Sequence, residues 1–260
     1  MSAGTPFDAL APSYDALFET PTGRRARAQS LEPLLRSFGR GGRVLDIGCG
    51  TGEEALALAR RGVEVVGLDP SEASLSILRK KLGREPALKV STVMAAARDL
   101  PRLAAGLGRF DGAYSSFGAL NCEPALAPVR DGLSAVLPRG APFFVSVMNR
   151  TCLFEMAAGL LTLRPALAGR RLRDGPARVA GRPVFTRYYS PSGFAAAMAP
   201  AFRAKEVAAL PVLLPPQPLS APVDRRPALL EMLERADARL RGAGPWSSLG
   251  DHFQMTLVRT

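Results

Sequence analysis

Val44-Leu-Asp-Ile-Gly48-Cys-Gly50-Thr-Gly52, followed by the helical run Glu53–Arg61, decides the fold. A short apolar strand runs straight into a glycine turn, and Leu56, Leu58 and Ala59 then recur at helical spacing. Glycines at such a turn permit a tight bend and close approach of a ligand, and the next helix presents free N–H groups. The pattern is D-x-G-x-G-x-G. It is not the G-x-G-x-x-G of dinucleotide-binding folds, because Glu53 stands where that pattern wants its third glycine or alanine. Asp46, just ahead of the loop, suits a ligand ammonium better than a pyrophosphate. A second apolar strand, Val63–Leu68, leads into Asp69, an acid at the carboxyl edge suited to accepting two ribose hydroxyls.

Outward from this core the chain alternates strand and helix. The pattern predicts a helix over Glu72–Leu82, strands at Leu88–Met94 and Phe110–Ser115 separated by a loop, a helix over Pro124–Leu137 and a strand at Phe143–Met148. Ahead of the glycine loop, Ser30 is expected to cap a helix over Leu31–Phe38 with Pro33 in its first turn. The rhythm stops after Met148. It resumes with a helix over Ser192–Phe202, a strand at Lys205–Leu210, a helix over Pro227–Arg241 and a last strand at His252–Val258. Val184–Tyr189 reads as extended. Short apolar strands alternating with helices specify an α/β fold with a parallel sheet covered on both faces. The reading is one domain over residues 1–260, with an N-terminal cover and helix (1–42) and two lid insertions (149–191 and 211–250).

Composition removes several classes of function. The chain has 260 residues, 47% hydrophobic and 22% charged, enough to bury a large core. Its richest apolar run, Cys152–Leu163, is too short for a membrane span and contains Glu155. The N-terminus lacks the basic and apolar regions of a signal peptide, so a cytoplasmic location is expected. Cys49, Cys122 and Cys152 form no CxxC pair and His252 is the single histidine; no metal site is expected. The formal net charge is +11, and only four of the 34 cations are lysine (Lys80, Lys81, Lys89, Lys205). Residues 150–187 carry eight arginines against Glu155 and Asp174. Such a segment reads first as a solvated face; it could otherwise meet anionic lipid, as peripheral contact with a membrane, an acidic substrate or nucleic acid.

These stretches together resemble the class I S-adenosylmethionine-dependent methyltransferases, over about residues 7–148 and more loosely from Ser192 onward. Val44–Gly52 is similar to their cofactor loop and Val65–Ser71 to their ribose-binding segment. Met94–Pro101 is similar to their third strand end, where Gly-Asp-Ala-x-x-Leu-Pro is common, Phe110–Phe117 to their fourth strand, and Leu137–Gly140 to the turn before the fifth. The resemblance implies a Rossmann-like sheet of seven strands with the last antiparallel, and S-adenosyl-L-methionine as cofactor. It assigns cofactor contacts to Asp46, Gly48, Cys49, Gly50, Gly52, Asp69, Pro70, Ala96, Ala97 and Ser115, with Asp46 facing the methionine amino group. Tyr14 is similar to a tyrosine that related enzymes place near the sulfonium, where a ring face favours a cation. One departure stands out: Ala96 occupies the place of the aspartate that often meets adenine, which leaves backbone and apolar contacts from Ala95–Ala97, and Asp99, for that ring.

Ligands of open α/β sheets bind outside the carboxyl ends of the strands, and both insertions leave the sheet on that edge. The lids are expected to enclose an apolar acceptor, supplying Leu153, Phe154, Met156, Leu160, Leu161, Leu213, Leu214, Leu219 and Trp246. His252, beside Asp251 at the start of the last strand, is the candidate general base, with Tyr14 the other candidate catalytic group. Tyr188 and Tyr189 are weaker candidate bases that read first as strand packing. The leading function is methyl transfer to a small apolar acceptor of lipid, isoprenoid or polyketide type. A non-catalytic cofactor-binding partner or sensor is the alternative from another class, separated by whether S-adenosylhomocysteine is released. Nucleic acid is disfavoured as a substrate: strand four ends in Ser115–Asn121 without an Asn/Asp-Pro-Pro-aromatic motif, and no Pro-Cys nucleophile occurs. A nicotinamide-dependent reductase is disfavoured by Glu53.

Overall fold

The computed structural model describes residues 5–179, 182–216 and 219–260. The glycine loop's strand is β1 (Arg43–Ile47), flanked in parallel by β2 (Glu64–Asp69) and, on its other side, β4 (Gly112–Ser115). β3 (Val90–Met94) pairs with β2, and β5 (Pro142–Met148) with β4. The second half supplies a small hairpin, β6 (Gly175–Val179) with β7 (Arg182–Thr186), then β8 (Phe202–Leu210) and β9 (His252–Arg259). β9 lies antiparallel between β5 and β8, giving a seven-stranded sheet in the order β3-β2-β1-β4-β5-β9-β8. This is the Rossmann-like arrangement expected from the sequence.

Helices cover both faces. Leu100, Val129, Leu133 and Phe194, from the helices Leu100–Leu107, Ala127–Val136 and Pro191–Met198, bury against Leu45, Phe143, Val145 and Phe253 on one face. On the other face Leu34 and Phe38, from and just after the helix Pro21–Ser37, pack on Val44, Val65 and Tyr114 with Leu58 of the helix Glu53–Ala59. Cys49 and Leu56 meet Leu75 and Leu78 of the helix Glu72–Leu82.

Four local expectations are corrected. The first long helix begins at Pro21, because Thr20 accepts from the Gly23 N–H and caps it; Ser30 lies buried in its interior and Pro33 falls inside rather than at its start. The stretch between β3 and β4, expected as a loop, contains the helix Leu100–Leu107 with Pro101 near its start. The helix expected over Ser192–Phe202 ends at Met198, and Phe202 already opens β8. The insertion 149–191 holds the helix Leu153–Leu161 and the β6–β7 hairpin. Finally, Met156, Leu160 and Leu161 face solvent instead of lining an enclosed pocket, while Leu214 packs with Val223 and Leu230 in a core of the second lid.

The loop's backbone depends on glycine. Gly48 adopts φ +77°, and a side-chain carbon built there would lie 2.2 Å from the Ala119 Cβ. Ala119 cannot rotate away, so the backbone itself must move. Gly48→Ala is therefore expected to lower stability by about 2 kcal/mol or more, the combined cost of a left-handed residue and an overlap. A thermal melt unchanged from the parent would contradict this loop geometry.

Candidate active site

Strand ends β1, β2, β4 and β5 and the start of β9 converge on one edge of the sheet. Gly48 and Cys49 both donate to the Leu68 carbonyl, at 2.7 and 3.1 Å, which fastens the loop to β2. Gly50 donates to Asp69 Oδ2 (2.9 Å) and Ser71 to Asp69 Oδ1 (2.8 Å). Burial pushes the Asp69 carboxyl up against the pull of these two N–H groups. Each of its oxygens keeps acceptor capacity, as two ribose hydroxyls would require. Gly50, at φ +51°, faces open space: a side-chain carbon built there meets nothing within 4 Å. The residues present thus fit an adenosyl ligand, with a bare backbone cradle beside a buried carboxylate.

The other cofactor candidates divide. Pro70 is exposed beside Asp69, and Ala96 and Ala97 are buried just past the end of β3. Asp99 Oδ2 accepts from the Ala96 N–H at 3.0 Å and braces this turn. Ser115 donates its hydroxyl to the Ile47 carbonyl (2.8 Å), tying β4 to β1. Cys49 turns its sulfur toward Gly67, leaving its backbone to the loop. Gly52 caps the following helix at φ +83°. Asp46 is almost fully buried and accepts from the Tyr114 hydroxyl at 2.8 Å. Burial raises its carboxyl well above the usual range; the Tyr114 hydroxyl opposes this, and nearby Glu54 and Asp69 add to it. A ligand ammonium near Asp46 would relieve that crowding of acids.

The N-terminal segment is fastened over this edge by residues that carry no motif. Asp8 Oδ1 accepts from the Ser71 hydroxyl (2.6 Å) and the Ala73 N–H (3.2 Å) at the start of the helix after Asp69. Asp15 accepts from the Thr51 hydroxyl of the glycine loop (2.6 Å) and from Lys81 (2.7 Å), which also donates to Glu53 (2.6 Å). Lone acids in a short turn-rich segment show no periodicity, so nothing in the sequence singled them out.

Behind this clasp sits an aromatic wall. Tyr14 tilts against Phe18 (centroids 5.6 Å), Phe18 against Phe117 (4.6 Å), and Phe117 meets His252 edge-on at 6.3 Å. Burial, with Glu54 next, pushes the Tyr14 hydroxyl well up. It stays protonated at neutral pH, which suits it to contact with a ligand and not to proton removal. Arg27 lies over the Phe18 ring at 4.0 Å and pairs with Glu54 at 3.1 Å. Phe117 has φ +51°, a left-handed conformation rare for a bulky residue and costing about 1–3 kcal/mol. It turns the chain directly after β4 and sets its ring between Phe18 and His252.

His252 opens β9, level with Met148 of β5 and Leu210 of β8. Its Nδ1 lies 3.0 Å from Asp251 Oδ2. Arg171 donates to the other Asp251 oxygen, to the Asp251 and Asn149 carbonyls, and to both Glu155 oxygens. Burial works against the Asp251 charge, but His252 and Arg171 hold its carboxyl well below the usual range. Arg171 is 5% exposed, so the expectation of a wholly solvated arginine face fails here: two buried acids draw this guanidinium inward. Cys152, Glu155 and Asp251 bring ligand atoms within 4.8 Å of one another, yet Arg171 bonds both carboxylates and holds the place a cation would take. Tyr188 lies under Arg171 and Tyr189 stands edge-on to Phe194, the packing roles expected of them.

Residues 44–140 match the methyltransferase domain family. Ubiquinone biosynthesis O-methyltransferases are similar over part of the chain. That of Marinobacter nauticus is 34% identical over 42% of this chain and 45% of its own length, that of Xylella fastidiosa 36% over 45% and 46%. The chain thus spans about half the length of the curated relatives it matches. Among solved structures, an S-adenosylmethionine-dependent methyltransferase from Mesorhizobium loti superposes with a TM-score of 0.56 at 20% identity, covering 90% of this chain and 98% of that one. The CcbJ methyltransferase of Streptomyces caelestis does so with 0.58 at 19%, covering 90% and 96%. Residues 44–140 thus carry a methyltransferase domain, set in the fold of solved S-adenosylmethionine-dependent methyltransferases.

Proposed function

We propose that this chain transfers a methyl group from S-adenosyl-L-methionine to a hydroxyl of a small, apolar, ring-bearing acceptor. The observation that carries the oxygen acceptor is the Asp251–His252 pair, set at the sheet edge beside the Phe117 ring. When bound, S-adenosyl-L-methionine supplies an electrophilic methyl group; Gly48–Gly52 and Asp69 would hold it. Phe18 and Phe117 give an apolar wall against which a ring can stack. With Nδ1 turned to Asp251, His252 keeps Nε2 to accept the acceptor's hydroxyl proton, and Asp251 stabilises the imidazolium that forms. Arg171 and Glu155 fix Asp251 in turn. The O-methyltransferase relatives, similar over under half of this chain, support methyl transfer to oxygen as the reading.

The cofactor half is tested by calorimetric titration with S-adenosylhomocysteine. Asp69→Ala is expected to weaken binding about 10- to 100-fold, the loss of charge-assisted hydrogen bonds to a ribose. Unchanged affinity would move the ribose elsewhere. Release of S-adenosylhomocysteine from hydroxylated apolar aromatics, and none from their dehydroxylated counterparts, tests the acceptor.

A further inference from the structure

The helix Leu153–Leu161 is inside out. Its buried residues are Glu155 and Gly159, and Glu155 reaches inward to Arg171 at 2.7 Å. Its solvent side carries Met156, Leu160 and Leu161, and Leu163 follows in the next turn. Leu160 is 69% exposed, Leu161 86% and Leu163 89%. An ordinary surface helix turns its apolar stripe to the core and its charges to water. Other exposed large apolar residues, such as Leu17, Met94 and Met232, lie scattered along the chain, whereas here three leucines above two-thirds exposure stand within four positions, the clustering that marks an interaction surface.

The surroundings say which partner. Arg164 directly follows Leu163, and Arg173 directly follows Leu172, itself 54% exposed. Among the described residues, neither arginine has an acidic partner. Arg170 stays half exposed while it pairs with Glu155. Leucines ringed by arginines and without exposed acids between them match the interface of an anionic bilayer: apolar side chains enter the acyl boundary and guanidinium groups meet phosphate. An acidic protein face would also complement the arginines, but protruding leucines, where no groove is formed among the described residues, suit the deformable acyl boundary of a bilayer better than a rigid surface. No described helix is long and apolar enough to cross a membrane, so the contact is peripheral.

We propose that the lid Leu153–Arg173 docks this protein on anionic membrane surfaces. Arg171 ties the same lid to Asp251, next to His252, so docking brings the sheet edge that carries the base close to the lipid. Delivery of an apolar acceptor from the bilayer rests on the proposed methyl transfer; docking itself does not.

Co-sedimentation of the full chain with vesicles reads docking alone. Vesicles of phosphatidylcholine with an equal part of phosphatidylglycerol are expected to retain the protein, phosphatidylcholine vesicles to leave it in solution, and rising salt to release it. Leu160→Ser with Leu161→Ser and Leu163→Ser is expected to lower partitioning at least about tenfold. The variant should keep the parent's melting temperature and its S-adenosylhomocysteine affinity. Arg164→Ala with Arg173→Ala should reduce the advantage of anionic over neutral vesicles. Equal retention by both kinds of vesicle, retention by neither, or unchanged partitioning of the leucine variant would overturn the proposal. So would a dimer in solution that the leucine variant splits, since a second copy would then be the occupant. Failure to bind S-adenosylhomocysteine would count against the methyl-transfer reading and leave docking standing.

Discussion

Replacing Arg171 by methionine is expected to lower the melting temperature by roughly 10 °C, while Arg170→Ala leaves it nearly unchanged. Both arginines pair with Glu155, but they differ in burial: Arg171 is 5% exposed and the Arg170 side chain 51%. Removing one partner from a buried network leaves uncompensated charge and costs about 3–5 kcal/mol. For a chain of this size each kcal/mol moves the midpoint by about 2–4 °C. The exposed pair is worth about 0–1 kcal/mol. Methionine nearly conserves volume, so the loss reports charge and hydrogen bonds more than a cavity. The pH dependence carries a sign as well. Asp251 is held below its ordinary value, so its share of the stability is present above pH ~4 and is lost as pH falls toward the folded value. Without Arg171 that acid-side slope should flatten. Equal melts for the two variants would mean that the guanidinium seen between Glu155 and Asp251 does not hold the lid.

The second large effect falls on turnover. His252→Gln is expected to lower kcat by about 100- to 10,000-fold with a hydroxylated acceptor, the range of a lost general base. S-adenosylhomocysteine affinity should stay within about twofold, because the ring adjoins Phe117 and Asp251 and not the glycine loop. Raising the pH should restore part of the rate, as an acceptor hydroxyl that ionises in solution no longer needs the base. A variant that turns over like the parent would assign proton removal to solvent. One that loses cofactor affinity in parallel would make His252 a structural residue of the sheet edge.

Much of this molecule was legible in its sequence where the signal is local. Val44–Gly52 carries strand, turn and helix start within nine residues, and Asp69 follows at the end of the next apolar run. The helix Glu72–Leu82 was readable at both ends because Ser71 caps it. What escaped is contact made at long range. Arg171 and Asp251 lie 80 positions apart, and Asp8 meets Ser71 across 63. Leu160 and Leu161 read as lid lining because apolar residues are expected to turn inward. Glu155, drawn in by Arg171, rotates the helix and turns them outward. The stretch that holds the helix Leu100–Leu107 reads as a loop, although a proline beside a helix start, here Pro101, is tolerated.

The strand order has a consequence for how the protein is made. β9 is synthesised after β5 and β8 yet lies between them. On the ribosome, the cofactor half can assemble while β5 still presents an open row of backbone donors and acceptors. Nothing can zip that edge to β8 until β9 leaves the exit tunnel, and β9 brings His252 with it. The strand that completes the sheet thus also delivers the proposed base, so a nascent chain would close its sheet and gain that base in one late step.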